Sequence, residues 1–144
     1  MRVSEIMNKD YHYISSTTTL VEAANKMDEL NCGFLPIGND ETKTLEGVIT
    51  DRDIVTRAIA KGLDPSEIRV TDIKSPRIYY CYEDDTIEKA AENMQEQHIY
   101  RLVVLNNDTD KNISGIISLN DIAYAAGEKG QAIAGSASEG ISHH

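Results

Sequence analysis

The sequence has no tryptophan, one phenylalanine and three prolines, so any hydrophobic core must rest on aliphatic side chains. Its two cysteines, Cys32 and Cys81, stand far apart, with neither CxxC spacing nor nearby histidines. That excludes a disulfide framework and a zinc finger, and leaves free thiols suited to a reducing cytoplasm. No apolar run approaches the ~20 residues of a membrane-spanning helix. Met1-Arg2-Val3-Ser4-Glu5-Ile6-Met7 lacks the apolar stretch of a signal peptide. The expectation is a soluble cytoplasmic protein with no membrane contact. Cations are also scarce: 14 Lys and Arg stand against 24 Asp and Glu, a net charge of −10. Without clusters of Lys and Arg to neutralise a phosphate backbone, nucleic acid is excluded as a partner. A small phosphorylated ligand is not, because charges beyond a Debye length of ~8 Å are largely screened.

Catalytic equipment is missing too. His12, His98, His143 and His144 have no metal-ligand spacing, no Walker-type glycine loop occurs, and no Ser or Cys has an identifiable base partner. Neither an enzyme nor a metal protein is expected.

What is present is a repeat. Val3-Ser4-Glu5-Ile6 aligns with Val70-Thr71-Asp72-Ile73 at an offset of 67 residues, and the same offset places Thr19 on Thr86, Ala23-Ala24 on Ala90-Ala91 and Met27 on Met94. One extra loop residue then changes the offset to 68, which sets Gly47-Val48-Ile49-Thr50 on Gly115-Ile116-Ile117-Ser118 and Asp53-Ile54 on Asp121-Ile122. Within each copy, Tyr13-Ile14-Ser15 and Tyr79-Tyr80-Cys81-Tyr82 read as short strands leading to a helix. Leu20, Ala23, Ala24, Met27 and Leu30 share one helical face, as do Ile87, Ala90, Ala91 and Met94, and Thr19 with Glu22 forms a capping box. Phe34-Leu35-Pro36-Ile37 with Leu45-Glu46-Gly47-Val48-Ile49, and their counterparts Leu102–Leu105 and Ile113–Ile117, read as strand pairs. Second helices follow Thr50 and Ser118, the first stopping at Gly62. The fold class expected is α/β (α+β): two pseudo-symmetric βαββα repeats packed through their sheets. Residues 1–62 are the first repeat, 63–69 the connection, 70–127 the second repeat and 128–144 a flexible Gly/Ala/Ser-rich tail.

Two copies of one motif stand where strand becomes helix: Gly47-Val48-Ile49-Thr50-Asp51-Arg52-Asp53 and Gly115-Ile116-Ile117-Ser118-Leu119-Asn120-Asp121. A hydroxyl beside the unpaired N–H groups of a helix start can seat an anion. The Asp three residues on can accept hydrogen bonds from ribose hydroxyls, worth ~1.5–3 kcal/mol each when the acceptor is charged. Equally, Thr50 and Ser118 read as plain N-caps, and Asp53 and Asp121 as carboxylates that complement the helix dipole. Duplication does not choose between these, since a structural cap would be duplicated as well.

The stretch Gly47-Val48-Ile49-Thr50-Asp51-Arg52-Asp53-Ile54, preceded by Leu35-Pro36-Ile37, resembles the ligand-binding signature of CBS (cystathionine-β-synthase) domains, and the resemblance runs over about residues 3 to 127. It implies a tandem CBS pair with two clefts for an adenosyl ligand: AMP, ADP or ATP first, then S-adenosylmethionine or NAD. By the same resemblance, Thr50 and Ser118 approach phosphate or the ribose edge, and Asp53 and Asp121 hold ribose hydroxyls. Tyr100-Arg101-Leu102-Val103-Val104 is similar to a phosphate-reaching family strand, which makes Arg101 a phosphate candidate, and Arg52 adds a cation to the first motif. The family's adenine contacts fall on Ile14 and Cys81, with Leu35 and Pro36 as the opposite wall. Each of these four also reads as an ordinary core position. Gly33-Phe34 stands where the second copy has Tyr100-Arg101, so two non-equivalent sites are expected, the one around Thr50 and Asp53 occupied first. Tyr11, Tyr13, Tyr79, Tyr80 and Tyr82 suit an interface, and the family resemblance implies a homodimer. The function implied is regulatory ligand binding with a further protein partner; the other reading is a ligand-independent assembly module with vestigial clefts.

Overall fold

The computed structural model describes residues 1–75, 79–125 and 127; the expected tail, with His143 and His144, lies outside them. In chain order the elements are α1 (Val3–Ile6), α2 (Leu20–Leu30), β1 (Phe34–Gly38), β2 (Leu45–Thr50), α3 (Asp51–Arg57), α4 (Val70–Ile73), β3 (Tyr80–Tyr82), α5 (Ile87–Gln97), β4 (Arg101–Leu105), β5 (Ile113–Ser118) and α6 (Leu119–Ala125).

Local chemistry sets the helix ends. The Thr19 hydroxyl accepts from the Glu22 amide at 3.2 Å while the Glu22 carboxylate takes the Thr19 amide, the reciprocal cap that the spacing predicts. Thr86 caps α5 without that return bond, its hydroxyl accepting from the Lys89 amide at 3.1 Å. Both long helices stop on a left-handed residue, Asn31 (φ 51°) and His98 (φ 57°). After α3, a 3₁₀ turn at Ile59–Lys61 ends on Gly62 at φ 73°, where the absent Cβ removes the steric penalty.

The described residues divide into two compact units whose boundaries do not coincide with those of the repeats. The first unit runs from His12 to Ser75; the second joins Met1–Tyr11 to the described residues from Tyr79 onward. In the first, β1 and β2 pair antiparallel, and Leu20, Ala23 and Met27 of α2 pack with Leu35, Ile37 and Ile49. The second holds a three-stranded sheet in the order β3-β4-β5, with β3 parallel to β4 and β5 antiparallel to it. There Ile87, Ala91 and Met94 of α5 pack with Leu102, Val104 and Ile117.

Of the two short strands expected at the start of each copy, only the second is a strand. Ile14 makes a single parallel rung to Ile37. The Ser15 carbonyl then accepts from the Thr18 amide at 3.1 Å, and its hydroxyl bonds Thr17, so the backbone turns away. In the second copy pairing persists through the Glu83 amide on the Leu105 carbonyl at 3.0 Å.

Each unit also contains the opening segment of the other copy. Asn8 exchanges two backbone hydrogen bonds with Ile116 of β5, at 2.8 and 3.0 Å, and Val3 is fully buried in the second unit's core. Reciprocally, Val70 and Ile73 of α4 are buried in the first unit's core, and the Ser75 amide bonds the Val48 carbonyl of β2 at 2.8 Å. The stretch expected as a connection is anchored as well, since the Leu20 and Val21 amides bond the carbonyls of Ile68 and Pro65. These crossings explain the motif glycines. A Cβ on Gly115 would sit 2.8 Å from the Asn8 carbonyl and 2.9 Å from the Met7 sulfur, and one on Gly47 would meet the Lys74 side chain at 2.7 Å.

Candidate functional site

Thr50 is the last residue of β2 and the N-cap of α3, so its hydroxyl is fixed between strand and helix. Its amide and its hydroxyl both donate to Asp53 Oδ2, at 2.9 and 2.8 Å, and the hydroxyl accepts from the Asp53 amide at 3.2 Å. Asp53 is 8% exposed, the one buried charged residue among those described. The second unit repeats the arrangement: the Ser118 amide donates to Asp121 Oδ2 at 2.8 Å, and the Asp121 amide to Ser118 Oγ at 3.1 Å.

Strand register decides what else joins each motif. Directly paired antiparallel residues share a face, and alternate residues along a strand oppose it. Phe34 pairs with Thr50 and Pro36 with Val48, so Phe34, Pro36, Val48 and Thr50 lie on one face of the first sheet. Arg101 pairs with Ser118 and Val103 with Ile116, which gives the matching face in the second. Leu35, Ile14 and Cys81 instead belong to the helix-side cores. Of the four adenine contacts implied by resemblance, then, Pro36 shares the Thr50 face, whereas Leu35, Ile14 and Cys81 lie behind the motif face. Val48, Val103 and Ile116 share these motif faces as well, Val48 and Ile116 standing two residues before Thr50 and Ser118 along each strand.

The motif surroundings differ in charge. The Asp51 amide donates to the Gly33 carbonyl at 3.0 Å, and the Leu119 amide makes the same bond to Tyr100 at 2.9 Å. The Asp51 carboxylate lies so close over Gly33 that any Cβ there would clash with it. Its counterpart Leu119 is buried in the second core, at 5% exposure. Arg52 and Arg101 are exposed.

Cys81 lines a groove of about 460 Å³ in the second unit, together with Lys89, Glu92, Asn93 and Glu96 of α5; Ser118, Asp121 and Arg101 are not among its lining. Side chains around it close the outer edge of β3. Asn93 donates to the Tyr80 carbonyl at 3.4 Å, and Asp85 accepts from the Tyr82 amide at 2.9 Å, a common way to blunt an unpaired strand edge. Burial, helped by the Asp85 charge, pushes the Cys81 thiol up to about 12, so it is un-ionised and unreactive at neutral pH. Among the described residues, no group of three or more His, Cys, Asp or Glu is placed to hold a metal ion, and no helix is long and apolar enough to cross a membrane.

Comparison with known proteins agrees with this architecture. The chain is 30% identical to the uncharacterized protein YlbB of Bacillus subtilis over 141 residues, covering 98% of this chain and 91% of that protein. Its fold superposes on the crystal structure of Hypoxic Response Protein I with two coordinated zinc ions at TM-score 0.78 and 32% identity, covering 87% of this chain and 98% of that one. The CBS domain pair of protein MJ0100, in complex with 5′-methylthioadenosine and S-adenosyl-L-methionine, superposes at TM-score 0.72 and 27% identity over 90% and 98% of the two chains. The CBS domain model matches residues 3–59 and again 70–128, so the chain belongs to the CBS domain family and carries two copies of the domain.

Proposed function

We propose that this protein is a regulatory module that binds an adenosyl ligand at its Thr/Ser–Asp motifs, with the Thr50–Asp53 motif preferred, and signals occupancy through altered conformation or partner contact. The carrying observation is the Asp53 carboxylate. Its Oδ2 holds Thr50, whereas Oδ1 has no hydrogen-bond partner among the described residues and is not sealed from solvent. A ribose hydroxyl supplies the donor that this oxygen lacks, in a setting dry enough for the bond to matter. The ligand class is supported by the adenosyl compounds bound to the MJ0100 pair.

In this reading Thr50 and Ser118 meet phosphate or the ribose edge, Asp53 and Asp121 hold ribose hydroxyls, and Arg52 and Arg101 reach phosphate. Pro36 and Phe34 offer an apolar wall, backed by Leu35 and Ile14; Cys81 supports the second site from its core. AMP, ADP and ATP are the leading ligands, with S-adenosylmethionine and NAD as alternatives. The module binds rather than catalyses, works in the cytoplasm with its thiols free, and pairs as a homodimer.

A second reading has its own support. Both motifs are closed as reciprocal caps without any ligand, which fits an assembly module whose motif residues only start helices. Thermal shift with AMP, ADP, ATP, S-adenosylmethionine and NAD decides. A ligand that binds only the folded state adds about 2.7 kcal/mol at a hundredfold excess over Kd, and Asp53→Ala should abolish the shift. No shift with any of the five at millimolar concentration selects the assembly reading.

A further inference from the structure

The motif helix of the first unit is fastened at its far end by an arginine, and an alanine stands at the matching position of the second. α3 begins at the Thr50–Asp53 cap and ends two turns later at Arg57, a span of about 10 Å that moves as one piece. The half-buried Arg57 guanidinium donates through Nη1 to the carbonyl of Ile73, at 2.9 Å, and to that of Lys74. These are carbonyls at the C-terminal end of α4, which have no partner within their own helix and carry its negative dipole end. An arginine there makes charge-assisted bonds. Lys74 itself lies across Gly47 of the motif strand, and its ammonium donates to the Glu46 carbonyl at 2.9 Å. With the Ser75 amide on Val48, the segment Ile73–Ser75 is tied to both β2 and α3, the two elements that meet at Thr50. Immediately after Ser75 the sequence passes through Pro76 and Arg77 into the second unit.

Among the described residues the second copy has no counterpart of these two cations. Ala125 stands at the position of Arg57, and Met7 at that of Lys74, so the crossing segment there has neither cation.

We infer that Arg57 is a positioning residue that couples the Thr50–Asp53 motif to the segment leading out of the first unit, so that whatever loosens or tightens the α3 cap is felt at Ile73–Ser75. The inference rests on the proposed ligand site for its physiological trigger, but the mechanical link is present without ligand. It distinguishes the two motifs by how they are tied: at Thr50–Asp53 the helix itself reaches Ile73–Ser75 through Arg57, whereas near Ser118–Asp121 the described crossing segment is tied to β5 through Asn8 and Ile116.

Amide hydrogen exchange of the full chain tests both levels. Without ligand, Thr50→Ala should accelerate exchange at 70–75 several-fold when Arg57 is present. It should have no further effect there in an Arg57→Ala background, although amides of α3 still respond. Arg57→Lys, whose single ammonium bonds one carbonyl well, should restore part of the coupling. Equal acceleration of 70–75 in both backgrounds, or none in either, overturns the link. If AMP or S-adenosylmethionine binds, it should slow exchange at 70–75 in the wild type but not in Arg57→Ala, with a similar Kd in both. Binding without that difference also overturns the link. If neither compound binds, the adenosyl reading fails for these probes, and the ligand-free arm alone decides the role of Arg57.

Discussion

In the first unit the motif strand is crossed by a lysine, its helix opens on an exposed aspartate, and its cap carboxylate is buried. In the second the crossing residue is Met7, the helix opens on the buried Leu119, and Asp121 is half-buried. The caps themselves are nearly superimposable in chemistry. The difference lies in what surrounds them: packing contacts in the second copy, polar contacts in the first. A duplicated motif can thus keep its hydrogen bonds while the surroundings of its copies part.

Four measurements would break or sharpen that contrast. The largest effect is expected at the helix starts: Leu119→Ala removes a core side chain and should cost about 2–5 kcal/mol, whereas Asp51→Ala, at an exposed position, should stay within about 0.5 kcal/mol. Urea unfolding of both variants checks this, and equal costs would remove the distinction between packed and polar helix starts. Next come the motif glycines. Gly115→Ala forces a Cβ against the Asn8 backbone carbonyl and should lose about 1–3 kcal/mol. Gly47→Ala meets the flexible stem of Lys74 and should lose clearly less, so the reverse order in calorimetric Tm would contradict the two crossings as described.

A smaller difference separates the caps. Asp53 accepts from both the amide and the hydroxyl of Thr50, and Asp121 from the Ser118 amide. Asp53→Ala should therefore cost about 1–2 kcal/mol and Asp121→Ala about half that, within the range found for helix caps and neutral-to-charged hydrogen bonds. The smallest effect at neutral pH concerns the thiols. Because folding raises the Cys81 pKa from 9.0 to about 12, the folded state holds its proton more tightly than the unfolded chain. This contribution to stability is complete below pH 9 and is lost as pH rises toward 12. Iodoacetamide at pH 8 should label Cys81 only after denaturation, and modification of the native protein at Cys81 would contradict the burial.

The repeat was legible from its constant offset, and the two long helices and the Thr19–Glu22 cap because each depends on residues three or four apart; the bonds of Asp53 to Thr50 and of Asp121 to Ser118 have the same spacing but were read as free carboxylates beside caps. Helix faces follow from spacing alone. That Ile14 makes only a single rung was not legible, since Tyr13-Ile14-Ser15 is as β-prone as its counterpart and only the hydroxyl-rich turn after it ends the pairing. Leu35 and Pro36 looked equivalent because all of β1 is buried; alternation puts them on opposite faces, and only the register with β2 shows which one shares a side with Thr50. Nothing in Val3–Ile6 or Val70–Ile73 says which copy it packs on. The two segments are near duplicates, so the exchange is a choice made by the whole chain. The repeat sets Arg57 opposite Ala125, but no local pattern says that the arginine reaches the Ile73 and Lys74 carbonyls.

That exchange has a consequence for the order of assembly. During synthesis the first unit can close as soon as Ser75 is available, because every rung within it joins residues of one continuous stretch. The segment Met1–Tyr11 is made early but completes its seat late, since Asn8 finds Ile116 only when nearly all of the described chain exists. The loop it closes is about four times as long as the one Ser75 closes onto Val48, an added entropy cost of about 1.2 kcal/mol. A fusion or trimming at the amino terminus should therefore be felt in the Ser118–Asp121 copy, at the other end of the sequence, and leave the neighbouring copy intact.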